Sequence, residues 1–459
     1  MVYGPQSAEN SWREPKGVRP PSPVVIIGGG FAGLSAAALL AERGARVIVL
    51  EARGRLGGRA TAFRDRDTGE MVDNGQHVMF GCYRETMEFL RRVGAAGNVR
   101  TQDSLEIPFV DAKGQRSVLK APPLPAPWHL FGAVLRWNAL PLRDRLSVVR
   151  IGRPLMSGNA AVDENLTVAQ WLKARGQSAR LTQCLWEPLA VAALNQPIDE
   201  AAAGTFVRIL VDMFAPDPQA SAIVLPSKPL DEMYAEPARS FITSHRGEIR
   251  TDARARIQHD GTAVTGVHVR GELLPCGRVI STVPWHQVKG LFDSVPPPLD
   301  DLVSSADAMT SMPIVTVNLW YDRIVMDDAF VGLSGGVMQW AFDKRRVFGE
   351  RASHLSLVSS AAAKLASLEP TELIDRAANE VARSLPGVRA ATLVRATVVR
   401  EKQATFSLSP GQPTRPGTET PLRGFYLAGD WTDTGLPGTI ESAVVSGHRA
   451  ARAMLKGEG

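Results

Sequence analysis

A glycine-rich motif near the start of the chain can bind the diphosphate of a nucleotide. Residues 28–33 read Gly-Gly-Gly-Phe-Ala-Gly and fit the pattern G-x-G-x-x-G. In such a motif Gly28 permits a tight turn, Gly30 lets a diphosphate approach the backbone, and Gly33 lets a helix pack closely on a strand. The motif therefore predicts a site for a ligand that carries phosphate groups.

A strand and a helix must position this motif. The apolar residues 23–27 before it favour a buried strand, and the alanine- and leucine-rich residues 34–41 after it favour a helix. The N-terminus of that helix offers free N–H groups and the positive end of its dipole to a diphosphate. A second strand, residues 46–50, ends at Glu51, whose carboxylate can accept hydrogen bonds from a ribose diol. An acid at this place favours FAD or NAD over NADP.

The residues that follow Glu51 decide between FAD and NAD. Residues 51–59 read Glu-Ala-Arg-Gly-Arg-Leu-Gly-Gly-Arg, the pattern E-A-x-x-x-x-G-G-R. This pattern resembles that of the flavin amine oxidase and phytoene desaturase superfamily. The resemblance implies that Gly58 lets the loop run close to FAD, and that Arg53 and Arg59 face its diphosphate.

The C-terminal part resembles the closing motif of the same superfamily. Residues 424–430 form an apolar run that ends in Gly-Asp, and a helix is predicted soon after it. The resemblance implies that Gly429 allows a close approach to the cofactor and that Asp430 binds its ribityl or diphosphate region. It also implies that the last helix, which begins at Thr439 and Ile440, points its dipole at the flavin.

The resemblance implies an α/β fold with two interleaved domains: a Rossmann-like FAD-binding domain of the flavin amine oxidase type and a mixed α+β substrate domain. Residues 244–257 resemble the strand pair that contacts adenine in this superfamily, with Ala255 as the candidate contact. The polar residues 1–22 predict a flexible tail. The stretches assigned to the FAD-binding domain are 23–104, 221–289 and 406–459, and those assigned to the substrate domain are 105–220 and 290–405.

A further segment points to one family within the superfamily. Residues 73–83, Asp-Asn-Gly-Gln-His-Val-Met-Phe-Gly-Cys-Tyr, resemble the hydroxysqualene dehydroxylase family, and residues 121–127, 186–195 and 225–227 add local matches. The resemblance implies that reduced FAD removes the allylic hydroxyl of hydroxysqualene to give squalene and water, in hopanoid (triterpenoid) biosynthesis. The predicted cofactor-binding residues are Gly28, Gly30, Phe31, Ala32, Gly33, Glu51, Ala52, Arg53, Gly58, Arg59, Asn74, Gly75, Gln76, Ala255, Gly429, Asp430, Thr439 and Ile440.

The reaction needs an acid to help water leave, and two residues are candidates. His77 follows the predicted flavin loop, where it could donate a proton or position the hydroxyl. The alternative is a histidine that only supports the loop. Glu187 is the second candidate, and its alternative role is to cap a helix or pair with an arginine. Trp186 and Trp340 are candidates for a tunnel that holds the long apolar isoprenoid chain, or for the core.

The sequence leaves three alternative function classes: a flavin amine oxidase, an isoprenoid desaturase and a lipid escort. Flavin amine oxidases carry a lysine on the strand that matches residues 312–320, and here Thr316 stands about where it would fall. Some of them bind FAD through a cysteine near the C-terminus; the last cysteine here is Cys276, so non-covalent FAD is expected. An isoprenoid desaturase, which runs the flavin in the oxidative direction, is the nearer alternative, and a lipid escort without enzyme activity is the third. No second dinucleotide motif is evident, so an unidentified external electron donor is implied.

Composition, net charge and cysteine spacing exclude several other kinds of partner and site. A chain of 459 residues suits two or three domains, and a net charge of +5 without any block of like charges argues against nucleic acid as a partner. The cysteines Cys82, Cys184 and Cys276 are far apart in the sequence. Their spacing predicts no metal site and no disulfide framework, and it favours a reducing, cytoplasmic compartment.

One segment suggests contact with a membrane. No run of 18 apolar residues is present, so no membrane-spanning helix is expected. Residues 124–142 are apolar, with Trp128, Trp137, Arg136 and Arg143 among them. Such a mixture suits peripheral attachment at the inner face of a membrane. The alternative is a core helix or a wall of the substrate tunnel.

Overall fold

The computed structural model describes residues 22–156 and 162–456, so the predicted tail lies outside it except for Ser22. Its strands in chain order are β1 (Val24–Ile27), β2 (Val47–Leu50), β3 (Ala62–Arg64), β4 (Met71–Asp73), β5 (Met79–Phe80), β6 (Val99–Thr101), β7 (Glu106–Asp111), β8 (Arg116–Lys120), β9 (Ile223–Pro226), β10 (Glu248–Arg250), β11 (Ala255–His259), β12 (Val264–Val269), β13 (Glu272–Pro275), β14 (Arg278–Ser281), β15 (Ser311–Tyr321), β16 (Phe330–Ser334), β17 (Trp340–Asp343), β18 (Ser353–Ser359), β19 (Leu393–Phe406) and β20 (Phe425–Leu427).

The α-helices in chain order are α1 (Phe31–Glu42), α2 (Arg84–Arg92), α3 (Trp128–Arg136), α4 (Leu142–Ser147), α5 (Val149–Met156), α6 (Val168–Ala174), α7 (Ala179–Leu181), α8 (Glu187–Leu194), α9 (Ala203–Met213), α10 (Glu236–Ser244), α11 (Asp300–Ala308), α12 (Lys344–Phe348), α13 (Pro370–Ser384) and α14 (Ile440–Lys456). No helix in this part of the chain is long and apolar enough to cross a membrane.

A parallel five-stranded sheet forms the first layer of the fold. Its strand order is β10-β2-β1-β14-β20, and every neighbouring pair runs parallel. The strands β1 and β2 are apolar and fully buried, as expected where helices cover both faces of a parallel sheet. These strands come from three stretches separated in the sequence, so the sheet is assembled by long-range pairing. The fold is α/β, as predicted.

A larger sheet of seven strands forms a second layer, in the order β19-β15-β18-β17-β16-β7-β8. Alternate residues of β15 face opposite sides. Val315, Val317 and Leu319 belong to one buried cluster with residues of α13. Ile314 packs against the other main cluster, which includes residues of α3, α8 and α9. This sheet therefore separates an outer helix from an inner helical layer.

Residues 244–257 were expected to form a strand pair, but the structure separates their two strands. β10 is the edge strand of the parallel sheet, where it pairs with β2. β11 pairs instead with β12 in a small antiparallel sheet. The short segment between them carries Asp252 with positive φ, which turns the chain from one sheet to the other.

Candidate active site

One cavity of about 980 Å³ lies between the carboxyl ends of the parallel strands, the inner face of the seven-stranded sheet and the helices α3, α8 and α9. Its wall includes His77 and all the predicted cofactor-binding residues except Gly33. Carboxyl ends of parallel strands are a usual place for a nucleotide. The structure thus brings the N-terminal, central and C-terminal motifs to one site.

Gly33 stands behind the wall and has the packing role predicted for it. A Cβ atom on Gly33 would lie 2.0 Å from the carbonyl oxygen of Gly28. Gly28 itself has a φ of +114°, which disfavours any residue with a side chain. The turn between β1 and α1 therefore requires glycine at both positions.

The first half of the site brings two glycine-rich loops into contact at the cavity wall. A Cβ on Gly30 would lie 3.8 Å from the Cα of Gly58, and a Cβ on Gly58 would lie 3.3 Å from the Cα of Gly30. The carboxylate of Glu51 accepts hydrogen bonds from the backbone N–H groups of Gly29 (2.7 Å) and Arg53 (2.9 Å). These bonds hold Glu51 at the cavity wall with lone pairs left for a ribose. This part of the site fits a dinucleotide.

The second half of the site joins distant parts of the chain. The guanidinium of Arg59 pairs with the carboxylate of Asp430 and also donates to the carbonyl of Ala404 at 2.8 Å. It lies 6.0 Å from the ring of Trp285. The N-terminus of α14 begins beside Asp430, where Thr439 accepts a hydrogen bond from Ser442 as the N-cap. The guanidinium of Arg59, paired with Asp430, and the positive end of α14 thus lie close together at the cavity wall.

Asn74 links the predicted flavin loop to an acid that the sequence analysis missed. Its side-chain amide donates to the carbonyl of Arg59 and to the carboxylate of Glu401, each at 3.0 Å. Glu401 lies on β19 and lines the cavity. His286 also lines it, and its buried Nδ1 has no hydrogen-bond partner in the described structure. Glu401 and His286 are polar groups that a bound ligand can engage.

His77 lies at the cavity wall, and its environment favours the neutral imidazole. Its Nδ1 is 2.6 Å from the carbonyl oxygen of Gly75, which assigns the proton to Nδ1 and leaves Nε2 as an acceptor. Burial lowers the pKa of His77 from its usual value, and Arg59 and Lys344 act in the same direction. Asp73 and the Gly75 carbonyl oppose the lowering of this pKa. A neutral His77 is better suited to position a hydroxyl than to protonate it.

A buried lysine supports the flavin loop from behind. The ammonium group of Lys344, the first residue of α12, donates to Asp73 Oδ2 at 2.8 Å and to Gln76 Oε1 at 2.9 Å. The side chains of Lys344 and Asp73 are almost completely buried. An ion pair so enclosed holds the loop in one position. Lys344 is not among the site residues predicted from the sequence.

Glu187 does not lie at the cavity. It is the first residue of α8, its side chain is exposed, and it is absent from the cavity wall, although its neighbours Trp186 and Pro188 line the cavity. The helix turns Glu187 outward because adjacent residues on a helix point about 100° apart. The structure therefore does not place Glu187 where an acid could reach a ligand in the cavity.

The rest of the cavity is an apolar arm. Trp340 lies 6.0 Å from Phe109 and 6.3 Å from Phe330, ring to ring, and Trp186 lines the opposite side of the cavity. Within the described ranges, none of the cavity-lining residues is a lysine or a cysteine. Apart from the residues named above, the arm is lined by Leu105, Ile107, Leu119, Leu130, Phe131, Ala133, Val134, Val148, Leu185, Leu189, Ala192, Ala193, Leu210, Met213, Phe214, Ile223, Ile314, Phe342 and Val358.

Thr316, which the resemblance places about where amine oxidases carry a lysine, lies close to the flavin loop. A Cβ atom on Gly75 would be 3.7 Å from Thr316 Oγ1. That hydroxyl is buried and has no hydrogen-bond partner in the described structure. The strand that faces the loop thus offers a hydroxyl there.

Comparison with known proteins identifies the family of this chain. Residues 31–455 match the family model of flavin containing amine oxidoreductases. The chain is 29% identical to hydroxysqualene dehydroxylase from Rhodopseudomonas palustris, over 94% of this chain and 98% of that protein. It is 26% identical to a 15-cis-phytoene desaturase from an Oncidium hybrid cultivar, over 96% of this chain and 79% of that protein.

A solved structure supports the fold. The chain superposes on an oxidoreductase from Methanosarcina mazei with a TM-score of 0.73 and 16% sequence identity, over 94% of this chain and 99% of that one. The family match spans nearly all of the described chain. The chain therefore belongs to the family of flavin-containing amine oxidoreductases and is a flavin-dependent oxidoreductase.

Proposed function

We propose that this protein is an FAD-dependent dehydroxylase that converts hydroxysqualene to squalene in hopanoid (triterpenoid) biosynthesis. In the overall reaction the allylic carbon–oxygen bond breaks, a hydride adds to that carbon, and the hydroxyl leaves with a proton as water. Fully reduced FAD, which the residues described above would bind, would supply the hydride and, in the overall balance, the proton, and would be left oxidised. An external electron donor of unidentified nature must reduce it again.

The observation that carries this proposal is the apolar arm of the cavity. Its wall is built from aliphatic and aromatic side chains, and the charged residues of the cavity belong to the cofactor half. An amine substrate is a cation and needs a polar or anionic partner when it leaves water. A triterpene alcohol carries one polar group on a long hydrocarbon chain, which matches one apolar arm that ends at a polar loop.

Similarity to two relatives leaves a dehydroxylase and a desaturase as candidate functions. The alignments cover 94% of this chain for the hydroxysqualene dehydroxylase from Rhodopseudomonas palustris and 96% for the Oncidium phytoene desaturase. The sequence identities, 29% and 26%, are close to each other. Phytoene desaturation is therefore the second candidate function, since both substrates are long isoprenoids. Among the described residues of the cavity wall there is no lysine or cysteine, which disfavours amine oxidation and attachment of the flavin through a cysteine.

The residues around the end of the arm have separable roles in this proposal. The loop on which the flavin would rest consists of Asn74, Gly75 and Gln76. The Nε2 atom of His77 accepts a hydrogen bond from the substrate hydroxyl and so positions it. Loss of the hydroxyl leaves an allylic cation, which the faces of Trp340 and Phe330 stabilise.

The test is an anaerobic single-turnover experiment. The purified protein is reduced photochemically, hydroxysqualene is added, the flavin spectrum is followed, and the lipid is extracted. We expect the flavin to reoxidise while an equal amount of squalene appears. A flavin that stays reduced contradicts the proposal, and the oxidised protein is then tested with phytoene and with amines.

The cofactor is tested separately. Acid precipitation should release all of the flavin into the supernatant as FAD, because none of the described residues that line the cavity is a cysteine. Yellow colour that stays with the precipitated protein, or release of FMN alone, would contradict non-covalent FAD.

A further inference from the structure

An apolar surface remains exposed on the outer side of the cavity wall. Six large apolar side chains between residues 124 and 149 are exposed to solvent, among them Trp128 at 56% and Leu142 at 63%. Monomeric soluble proteins seldom expose so many close together. We call this the α3–α5 surface; its apolar members are Leu124, Trp128, Leu135, Leu142, Leu146 and Val149.

Contacts between the elements bring the helices that carry these residues together. A Cβ atom on Gly132 of α3 would lie 3.4 Å from Leu124, so Leu124 packs against that helix. The guanidinium of Arg145 on α4 donates to the carbonyl oxygens of Leu140 and Leu135, which ties α4 to the end of α3. Trp137, which the sequence analysis placed in the membrane segment with Trp128, is buried at 2% exposure instead.

The charge of this surface is positive. Arg136, Arg143 and Arg150 are exposed on it. Between residues 112 and 162 the sequence contains eight lysines and arginines and a single acid, Asp144. The side chain of Asp144 is buried. Anionic groups would therefore approach the α3–α5 surface without opposition from an exposed carboxylate of the same segment.

The inner side of the same segment is the cavity wall. Leu130, Phe131 and Val134 of α3 line the apolar arm, as does Val148 between α4 and α5. One layer of helix therefore separates the apolar arm from the exposed apolar side chains of the α3–α5 surface.

We propose that the α3–α5 surface docks this protein on a bilayer that contains anionic phospholipids. Leu and Trp side chains enter the region between headgroups and acyl chains, and the arginines pair with phosphate and anionic headgroups. The short helices lie in the plane of the interface and do not cross it. The proposal concerns attachment and does not depend on which isoprenoid reaction the enzyme catalyses.

The first test measures binding of the flavin-loaded protein to vesicles by cosedimentation. Vesicles of phosphatidylcholine alone are compared with vesicles that also contain phosphatidylglycerol, at low salt and at about 1 M salt, where the Debye length is about 3 Å. We expect binding to the anionic vesicles at low salt and much weaker binding in the other conditions. No binding to the anionic vesicles, or equal binding to both kinds, would overturn the proposal.

The second test assigns binding to the surface. Trp128→Ser combined with Leu142→Ser should weaken vesicle binding at least about tenfold, because two side chains no longer bury apolar area. The matched control is Leu273→Ser combined with Ile324→Ser, two exposed apolar residues elsewhere. The control should bind as the native protein does. An equal loss in both double variants, each with its flavin spectrum intact, would contradict the assignment.

A third pair of variants tests the charges and guards against misfolding of the apolar variants. Arg143→Gln combined with Arg150→Gln should lower binding to anionic vesicles and flatten its salt dependence. Arg43→Gln combined with Arg46→Gln removes two exposed charges elsewhere and should change neither. If the native protein instead self-associates in solution, and Trp128→Ser with Leu142→Ser abolishes that association, the surface is a contact between copies of this chain and the proposal is wrong.

Discussion

At the scale of single residues, the polar groups behind the cavity form a hydrogen-bonded network whose protons can be assigned. His354 Nδ1 lies 3.0 Å from a carboxylate oxygen of Glu350, and its Nε2 lies 3.0 Å from Asn318 Oδ1. Burial lowers the pKa of His354 to about 3. Burial also raises the pKa of Glu350 to about 7, an effect that Lys344 partly offsets. Neutral Glu350 therefore donates to neutral His354, which donates to Asn318.

The same network contains a group of side chains with the donor types of a metal site. One ligand atom each from Glu70, Glu350 and His354 lies within 4.8 Å of the others. Glu70 accepts a hydrogen bond from the indole N–H of Trp320. Each of the three side chains thus has a hydrogen-bond partner inside the protein, and the cationic Lys344 is near. We therefore interpret the group as a hydrogen-bonded network.

The first prediction concerns the pH dependence of stability. Between pH 4.5 and 7 the folded chain keeps a proton on Glu350 that the unfolded chain has lost, so Glu350 makes the free energy of unfolding fall as pH rises. At about 1.4 kcal/mol per pKa unit, this amounts to about 3 kcal/mol. His354 acts oppositely between pH 3 and 6.5, because it stays neutral in the folded chain. The two effects nearly cancel between pH 4.5 and 6.5.

Glu350→Gln removes only the first effect. The free energy of unfolding of the variant, relative to that of the native protein, should increase as the pH rises from 4.5 to 7. Urea unfolding at several pH values measures this difference. Glu372→Gln, at an exposed position of α13, is the control and should leave the pH dependence unchanged. Parallel curves for the native protein and Glu350→Gln would contradict the assignment of the proton.

The second prediction distinguishes a positioning role of His77 from acid catalysis. His77→Asn can keep a donor to the Gly75 carbonyl, since the asparagine amide can replace Nδ1. It should retain the flavin and lose activity about 10-fold or less, whereas loss of a general acid costs about 10²–10⁴-fold. His77→Ala should lower activity further. If His77→Ala binds flavin and turns over as fast as the native protein, His77 has neither a positioning nor an acid role. If His77→Asn loses more than about 10²-fold in activity, His77 acts as a general acid.

At the scale of elements, the site depends on how closely α1 and α14 approach each other. A Cβ atom on Gly447 of α14 would lie 2.2 Å from the carbonyl oxygen of Ala32 and 2.4 Å from Ser35 Oγ. Both helices begin at the cavity, with Phe31 and Ile440 in its wall. The distance between these helices therefore sets the relative position of two helix N-termini that face the cofactor.

The third prediction follows from this contact. Gly447→Ala should destabilise the protein by about 1–3 kcal/mol, because overpacking forces the backbones apart. It should also weaken FAD binding, measured by titration of the apoprotein. Gly204→Ala in α9 is the matched control, since nothing lies within 4 Å of its added Cβ. It should fold and bind FAD normally; equal effects of the two substitutions would refute the role of the close contact.

At the scale of the whole molecule, the ion pair between Lys344 and Asp73 links the two layers of the fold. Lys344 follows the last residue of β17 in the seven-stranded sheet, and Asp73 ends β4 next to the flavin loop. The two residues are separated by 271 positions in the sequence. Because both are buried, removal of one leaves the other charge without a partner in the interior.

The fourth prediction is that Lys344→Met costs about 3–5 kcal/mol of stability, as broken buried ion pairs do. Lys344→Met with Asp73→Leu should recover part of this loss, since no lone charge remains. Arg376→Met, which breaks an exposed pair with Glu372, should cost less than about 1 kcal/mol. Lys344 also donates a hydrogen bond to Gln76. The Lys344→Met protein, when loaded with FAD, should therefore show a shifted flavin absorption spectrum and a shifted midpoint potential. Additive effects of the two substitutions would disprove the coupling.

Much of the fold and of the cofactor half of the site was predictable from local sequence. The turn at Gly28, the buried strands β1 and β2 and the start of α1 depend on residues within a few positions of one another. The backbone conformation of these segments depends on local features: a run of β-branched residues, a glycine and the start of a helix. These features favour the same conformation whatever the rest of the chain contributes. The family match confirms the fold class and the flavin-dependent chemistry that these motifs indicate.

Tertiary structure decided which charged side chains face inward. Glu401 lies between Arg400 and Lys402, and Lys344 is followed by Arg345 and Arg346, so both segments have the composition of an exposed surface. Yet Glu401 lines the cavity and Lys344 is buried, while Glu187, a predicted acid, is exposed. Local sequence determines backbone conformation because it acts through neighbouring atoms. The burial of a charge depends on a partner far along the chain, and only the packing of the two layers brings that partner within hydrogen-bond distance.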